Sequence, residues 1–171
     1  MIINKEEDLI SKISKLNNLM IGTISGSFDC FHEGHKFSLD YCMKEVDKLI
    51  VLVNSDKSVS TYKGKNRPLE NIDKRIKKLE NFSSNNLYYV FDELVPNKIL
   101  EIIKPDIHFI SRDWSNNPVE KYIVEENGGR VVEHPHLEGV STTINLVKNK
   151  DLEKTNKAIF LDRDGTINVD V

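Results

Sequence analysis

The sequence predicts an α/β fold in which a five-stranded parallel sheet lies between two layers of helices. Short apolar runs alternate with segments of helical periodicity along most of the 171 residues, as in a series of right-handed crossovers. The run Asp47–Asn54 is almost continuously apolar, as expected for a parallel strand that is covered on both faces. The architecture predicted from these observations is a Rossmann-like three-layer fold.

The elements of the first part of the chain follow from their apolar spacing. Residues 8–16 carry apolar side chains at positions 9, 10, 13 and 16, which predicts a helix. The apolar run 19–24 predicts a buried strand, and 36–43 a helix after it. The second strand is 47–54, and the polar, basic stretch 55–68 is predicted to be a loop.

Strands and helices alternate through the rest of the chain. Apolar runs predict strands at 86–90, 107–110 and 130–133. Helices are predicted at 70–82, 96–104, 118–127 and 144–150. Pro96 is favoured in a first helical turn, Gly128-Gly129 is a stop signal, and Ser141 is a suitable cap for the last helix.

Composition limits the classes of function. The net charge of −3 and the pI of about 6.0 argue against a general nucleic-acid binder, which is usually basic. No signal peptide is recognisable, and no apolar run approaches the ~20 residues of a membrane span. Cys30 and Cys42 are the only cysteines and are expected to be free thiols. We therefore expect a cytoplasmic protein whose partners include neither nucleic acid nor membrane.

The turn Gly26–His35, between the first strand and the next helix, is the strongest functional signal. Strand-to-helix turns favour phosphate because backbone N–H groups and the helix N-terminus point at the ligand. Here Gly26 is expected to let the backbone approach phosphate and Gly34 to allow a tight turn, while His32 and His35 supply donors. The turn therefore predicts chemistry on a nucleoside triphosphate.

Two alternatives for these histidines stay open at this point. They can be surface or core residues without a ligand. They can also share a metal ion, with Asp29 and Glu33 as the nearest further ligands. We expect neither, and no residue is predicted to be a metal ligand.

Gly26–His35 resembles the signature of the cytidylyltransferase-like nucleotidyltransferases. Ser141-Thr142-Thr143, after Glu138-Gly139-Val140, resembles the second signature of that family. Residues 53–68 are similar to the nucleotidyltransferase domain of ADP-heptose synthase. The resemblance covers roughly residues 18–148, and we assign residues 1–149 to one nucleotidyltransferase domain.

The resemblance implies a metal-assisted nucleotidyl transfer. A phosphate monoester attacks the α-phosphorus of a nucleoside triphosphate and pyrophosphate leaves, with no covalent enzyme intermediate. His32 and His35 are then expected to bind the triphosphate and the transition state, and Lys63 and Arg75 to complete the catalytic set. Mg²⁺ is the expected cofactor, bound mainly through the nucleotide phosphates.

The same resemblance implies further binding residues. Nucleotide contacts are expected from Gly26, Ser27, Phe28, Asp29, Gly34, Asp113, Trp114, Gly139, Ser141, Thr142 and Thr143. Substrate contacts are expected from Lys65, Arg67 and Arg112. Some of the expected site residues have a plain structural alternative. It is a solvated loop charge for Lys63 and Lys65, an exposed helix charge for Arg75, a surface charge for Arg112, packing for Trp114, and helix capping for Ser141 and Thr142.

The residues after the fourth and fifth predicted strands bear on the choice of nucleotide and acceptor. Asp113-Trp114 and residues 138–143 are more similar to glycerol-3-phosphate cytidylyltransferase, although His136 and Ser111-Arg112 depart from that pattern. We therefore favour CTP and a sugar or polyol phosphate, giving a CDP-sugar or CDP-polyol for surface polysaccharide. The alternative is ATP with heptose 1-phosphate. A non-catalytic nucleotide-binding regulatory module is the hypothesis from a different class.

The last residues break the pattern. Residues 150–156 are predicted to be a polar linker, and 157–171 to be the first strand and motif of another domain. Asp162-Arg163-Asp164-Gly165-Thr166 resembles the first motif of haloacid-dehalogenase-type phosphatases, whose later motifs are not found here. We expect this fragment to be inactive and the natural chain to continue into a phosphatase domain. Homodimers are common in the nucleotidyltransferase family, so a homodimer is expected.

Overall fold

The computed structural model describes residues 2–111 and 118–135, which form one parallel sheet with helices on both faces. The strands are β1 (Ile2–Ile3), β2 (Ile21–Gly26), β3 (Lys48–Asn54), β4 (Leu87–Phe91), β5 (Ile107–Ile110) and β6 (Arg130–Glu133). The helices are α1 (Glu6–Ile13), α2 (Glu33–Glu45), α3 (Asp56–Lys63), α4 (Ile72–Phe82), α5 (Asn97–Ile103) and α6 (Pro118–Glu126). The predicted α/β, Rossmann-like class is confirmed.

The strand order is β1-β4-β3-β2-β5-β6, and every pairing is parallel. The five predicted strands are all present. The sixth, β1, was not predicted, because two residues are too few to show an apolar period. It pairs with β4 at one edge of the sheet.

Two apolar cores lie on opposite faces of the sheet. Along β3, Ile50 and Leu52 belong to one core and the alternate residues to the other. The first core includes Leu100 of α5 and Val124 of α6, and the second includes Leu39 of α2 and residues of α4. The sheet is therefore the middle of three layers, as predicted.

The prediction of a loop over 55–68 is wrong for its first half, which is α3. The Ser55 side chain caps this helix by accepting the Ser58 N–H at 3.2 Å, and Val59 is fully buried. Eight residues with a single buried aliphatic side chain carry no helical apolar period, so the pattern gave no signal.

The direction of the chain changes at β2. From β2 the chain runs outward through β3 to β4, and it then returns to β5 on the other side of β2. In open parallel sheets, ligands bind beyond the carboxyl ends of the strands at such a switch point. The topology therefore places a crevice at the ends of β2 and β5. Among the described helices, none is long and apolar enough to cross a membrane.

Candidate active site

A cavity of about 500 Å³ opens at the carboxyl ends of the central strands. The turn after β2, the first turns of α2, the end of α3, the loop after β4 and the end of β5 line it. Seven of the predicted site residues contribute to its wall: Gly26, Ser27, Phe28, His32, Gly34, His35 and Lys63. The structure thus brings together the turn after β2 and the segment after β3. This was expected, because segments that follow parallel strands meet at the same edge of the sheet.

The two histidines form the N-terminal cap of α2. The Nδ1 atom of His32 accepts the Gly34 N–H at 3.1 Å, and Nδ1 of His35 accepts the His32 N–H at 3.3 Å. A neutral imidazole whose Nδ1 accepts a hydrogen bond carries its proton on Nε2. Both rings therefore offer an Nε2–H donor. The rings stack with 3.8 Å between centroids, and both residues line the same cavity.

Burial keeps His35 neutral. Burial, then the neighbouring His32 and Lys63, lower the pKa of His35 from its ordinary 6.5 to about 3. The ring also lies against the rings of Phe28 and Phe31, at centroid distances of 5.4 and 5.7 Å. At neutral pH this residue acts as a hydrogen-bond donor and not as a cation.

The lowered pKa of His35 predicts a pH-dependent stability. Between pH 6.5 and 3 the unfolded chain binds a proton on this ring that the folded chain does not bind, so the contribution present above pH 6.5 is lost on acidification. Between pH 6.5 and 5.0 the wild type should lose about 2 kcal/mol more unfolding free energy than a His35→Gln variant. Urea unfolding at pH 7.5, 6.5 and 5.0 measures this difference. Parallel pH dependences in the two proteins would contradict it.

Lys63, the last residue of α3, brings an amino group to the same cavity. Its Nζ donates to the Ser27 hydroxyl at 2.9 Å and lies 5.6 Å from the centre of the Tyr62 ring. The side chain still reaches solvent, and its partial burial, followed by the nearby Arg67, lowers its pKa. An amino group held at the turn that precedes α2 suits a phosphate oxygen.

Asp29 and Arg67 face each other behind the turn. The buried Asp29 carboxylate accepts the N–H groups of Leu69 and Glu70 at 3.0 to 3.1 Å, and pairs with Arg67 at 2.8 Å. Neither residue lines the cavity, and Lys65 is exposed on the loop between α3 and α4. The contacts predicted for these three residues stay predictions, and the structure shows Asp29 holding that loop against the turn.

Arg75 of α4 is fully buried beneath the site. Its Nη1 donates to the carbonyl oxygens of Ser27 and Asn54 at 2.5 and 2.8 Å, and its Nη2 pairs with Asp56 at 2.7 Å. Its Nε donates to the Glu70 carbonyl at 3.0 Å. Arg75 does not line the cavity. This placement is that of a positioning residue that joins the ends of β2 and β3, and a direct catalytic role stays a prediction.

The turn obtains its shape from residues other than glycine. Phe28 and Cys30 have positive φ angles of 49° and 54°, in the left-handed region. Gly34 lies in the first turn of α2 and is absent from the left-handed residues, so its expected role in a tight turn is wrong. At Gly26 a Cβ would lie 3.3 Å from the Phe28 ring, so a larger residue there would require that ring to shift by a few tenths of an ångström.

A polar relay on the other side of the cavity was missed from the sequence. The Thr23 hydroxyl lies 2.8 Å from Nδ1 of His108, and His108 Nε2 lies 3.4 Å from Glu120, which lines the cavity. His134 also lines it. The register pairs Thr23 of β2 with His108 of β5, and a histidine within an apolar strand was the one available signal.

Several predicted residues fall outside the described part of the chain. They are Arg112, Asp113, Trp114, His136, Gly139, Ser141, Thr142, Thr143, Asp162 and Asp164. Within residues 2–111 and 118–135, no group of three or more His, Cys, Asp or Glu side chains is arranged to hold a metal ion.

Comparison with known proteins gives a family match and several relatives. A family model described as cytidylyltransferase-like matches residues 23–158. The bifunctional protein HldE of Hahella chejuensis is 38% identical over 120 residues, which are 70% of this chain and 25% of that protein. The bifunctional protein HldE of Pseudomonas fluorescens is 33% identical over 141 residues, which are 82% of this chain and 30% of that protein. The chain thus spans between a quarter and a third of the length of these relatives.

The fold agrees with solved structures. A lipopolysaccharide core biosynthesis protein from Thermoplasma volcanium superposes with a TM-score of 0.61 at 22% identity, covering 71% of this chain and all of that one. The pantoate-beta-alanine ligase of Francisella tularensis superposes with a TM-score of 0.61 at 14% identity, covering 96% and 82% of the two chains. From the family match over most of its length, together with its relatives, the chain belongs to the cytidylyltransferase-like family and is a nucleotidyltransferase.

Proposed function

We propose that this nucleotidyltransferase transfers the adenylyl group of ATP to a sugar 1-phosphate of the heptose class. The observation that carries the proposal is the pair of Nε2–H donors of His32 and His35 beside Lys63, in one cavity at the strand ends. The similarity of residues 53–68 to ADP-heptose synthase and the HldE relatives favour ATP over the CTP donor preferred from the sequence.

The proposed step needs no residue that removes a proton. An oxygen of the acceptor phosphate, already anionic, forms the new bond to the α-phosphorus, and the bond to the pyrophosphate oxygen breaks. Charge grows on the phosphoryl oxygens, where His32, His35 and Lys63 supply N–H donors. Because His35 is neutral and its ring is held by the helix cap, its donor is oriented before the substrate binds.

Mg²⁺ fits this proposal as a partner of the nucleotide. The Asp29 carboxylate is engaged by two backbone N–H groups and Arg67, and Glu120 is the one carboxylate among the described cavity-lining residues. We therefore propose that phosphate oxygens and water would hold Mg²⁺ on the bound nucleotide, because this ion commonly keeps several waters. When bound, it would neutralise charge on the phosphates.

A matrix of donors and acceptors tests the proposed reaction. The protein is incubated with Mg²⁺, with ATP or CTP, and with heptose 1-phosphate or glycerol 3-phosphate, and pyrophosphate release is measured. Release is expected with ATP and heptose 1-phosphate, and no more than background with either substrate alone. Release with CTP alone among the donors would refute the ATP assignment, and release with no pair would refute the proposed reaction.

The context of the reaction is also a proposal. The product would be a nucleotide-activated sugar for surface polysaccharide, made in the cytoplasm. The similarity of residues 157–171 to a phosphatase motif leads us to propose a phosphatase domain in the same natural chain. We also propose a homodimer, which light scattering tests.

A further inference from the structure

Glu120 lines the same cavity as His32 and His35. Its carboxylate offers hydrogen-bond acceptors, whereas the two histidines offer donors. We infer that Glu120, oriented by His108, binds hydroxyl groups of the acceptor sugar phosphate and selects a polyhydroxylated acceptor. This inference rests on the proposed function, since it names the part of the site that takes the acceptor.

The cavity reaches both faces of the sheet. On β2, Ile24 packs in the core that includes Leu39 of α2, whereas Ile21 packs in the core that includes Val124 of α6. Since side chains alternate along a strand, Thr23 lies on the Ile21 face, away from α2. Thr23 contacts His108, which contacts Glu120. His32 and His35 at the start of α2 therefore lie on one face of the sheet, and Glu120 lies on the other.

The two ends of the cavity differ in charge and in hydrogen-bonding character. His32, His35 and Lys63 present donors, which suit phosphate oxygens. The carboxylate oxygens of Glu120 suit hydroxyl groups, which can donate to them, better than phosphate oxygens, which are themselves acceptors. A substrate with a phosphate at one end and hydroxyls at the other matches this polarity. It would bind in one orientation, with its phosphate toward the nucleotide.

An apolar part of the cavity wall suits the carbon skeleton of such an acceptor. Leu94, Val95 and Pro96, in the loop after β4 and at the start of α5, line the same cavity. Apolar side chains can pack against the C–H surfaces of a sugar while its hydroxyls face the carboxylate. An acceptor with a longer hydroxylated chain would use both surfaces.

His108 fixes the carboxylate. It is fully buried, its Nδ1 lies 2.8 Å from the Thr23 hydroxyl, and its Nε2 lies 3.4 Å from Oε2 of Glu120. If the Thr23 hydroxyl donates to Nδ1, the ring proton is on Nε2 and faces Glu120. Oε2 is then held, and Oε1 is the oxygen available to a ligand. A carboxylate that is oriented before binding loses little freedom when the ligand arrives.

The test compares Glu120→Gln with Glu126→Gln, an exposed change on the same helix. Calorimetry of the whole chain gives the dissociation constants of ATP and, separately, of heptose 1-phosphate, mannose 1-phosphate and glycerol 3-phosphate. In Glu120→Gln the affinity for the sugar phosphate that the wild type binds best should fall about 10- to 100-fold, as for a lost hydrogen bond to a charged group. Affinity for ATP should stay within about twofold, and Glu126→Gln should match the wild type.

The outcomes separate this inference from the proposed function. An equal loss of ATP affinity in Glu120→Gln would place Glu120 at the nucleotide and overturn the inference. Unchanged affinities in this variant would also overturn it. So would a wild-type protein that binds none of the sugar phosphates. Pyrophosphate release with CTP but not ATP would refute the proposed donor and leave the Glu120 inference standing. Thermal unfolding checks that Glu120→Gln folds. Glu120→Asp, which keeps the carboxylate but shortens the side chain, should also weaken sugar phosphate binding. Unchanged binding in this variant would contradict the inference.

Discussion

Replacing His35 with alanine should lower kcat about 100- to 1000-fold, because removal of one oriented donor to a developing oxyanion has an effect of that size. The Nε2–H of His35 is held by its own Nδ1 contact to the His32 backbone and by the stacked His32 ring. The KM for ATP should change less than kcat, since the charge that this donor stabilises grows only in the transition state. Initial rates of pyrophosphate release measure both quantities.

The control for this change is Lys36→Ala, the next residue of α2, whose amino group pairs with exposed Glu33. Its kcat should stay within about twofold of the wild type, because such surface pairs contribute little. Loss of the His35 cap contact is expected to lower stability by about 1 kcal/mol, so rates should be taken well below the unfolding midpoint. A His35→Ala protein that turns over at the wild-type rate would remove His35 from the catalytic set.

Replacing Arg75 with methionine should lower the free energy of unfolding by about 3 to 5 kcal/mol, because four hydrogen bonds of a fully buried guanidinium are lost together. Methionine fills much of the space but donates no hydrogen bond. The carbonyl groups of Ser27 and Asn54 would then lose this partner, and Asn54 is buried. Denaturant unfolding followed by circular dichroism measures the difference.

Lys74→Met, the exposed preceding residue of α4, is the matched control and should change stability by less than about 0.5 kcal/mol. The Arg75 experiment also distinguishes two roles. A positioning residue should affect stability and kcat together, because the Ser27 carbonyl belongs to the site turn. Wild-type stability with a large loss of kcat would instead indicate that Arg75 acts on the substrate.

The sheet and the turn after β2 could be predicted because their signals are local. Five apolar runs of four to eight residues define strands wherever tertiary context supports them. The helix that starts at Glu33 was placed three residues late, since a histidine is not among the usual capping residues and its imidazole took that role. Helix α3 was not predicted, because it buries too few apolar side chains to show a helical periodicity in the sequence.

The sequence identified several residues that line the cavity, but it did not show which charged residues would face the cavity and which would face the protein's own backbone. His32, His35 and Lys63 do meet at one cavity. Asp29 and Arg75, by contrast, find partners 40 and 48 residues away, and no spacing rule shows whether a charged side chain will face a ligand or its own backbone. The relay from Thr23 to Glu120 depends on strand register, which becomes visible only when β2 lies beside β5.

The left-handed residues Phe28 and Cys30 have a consequence for how this enzyme can evolve. A non-glycine residue in that conformation costs about 1 to 2 kcal/mol, so the turn is held by the surrounding fold and not by its own preferences. Glycine at position 30 would relieve this cost, yet it would widen the range of shapes open to the segment that carries His32. A gain in stability at position 30 would therefore come with a less firmly held His32, whereas glycine at position 28 would remove a buried core side chain.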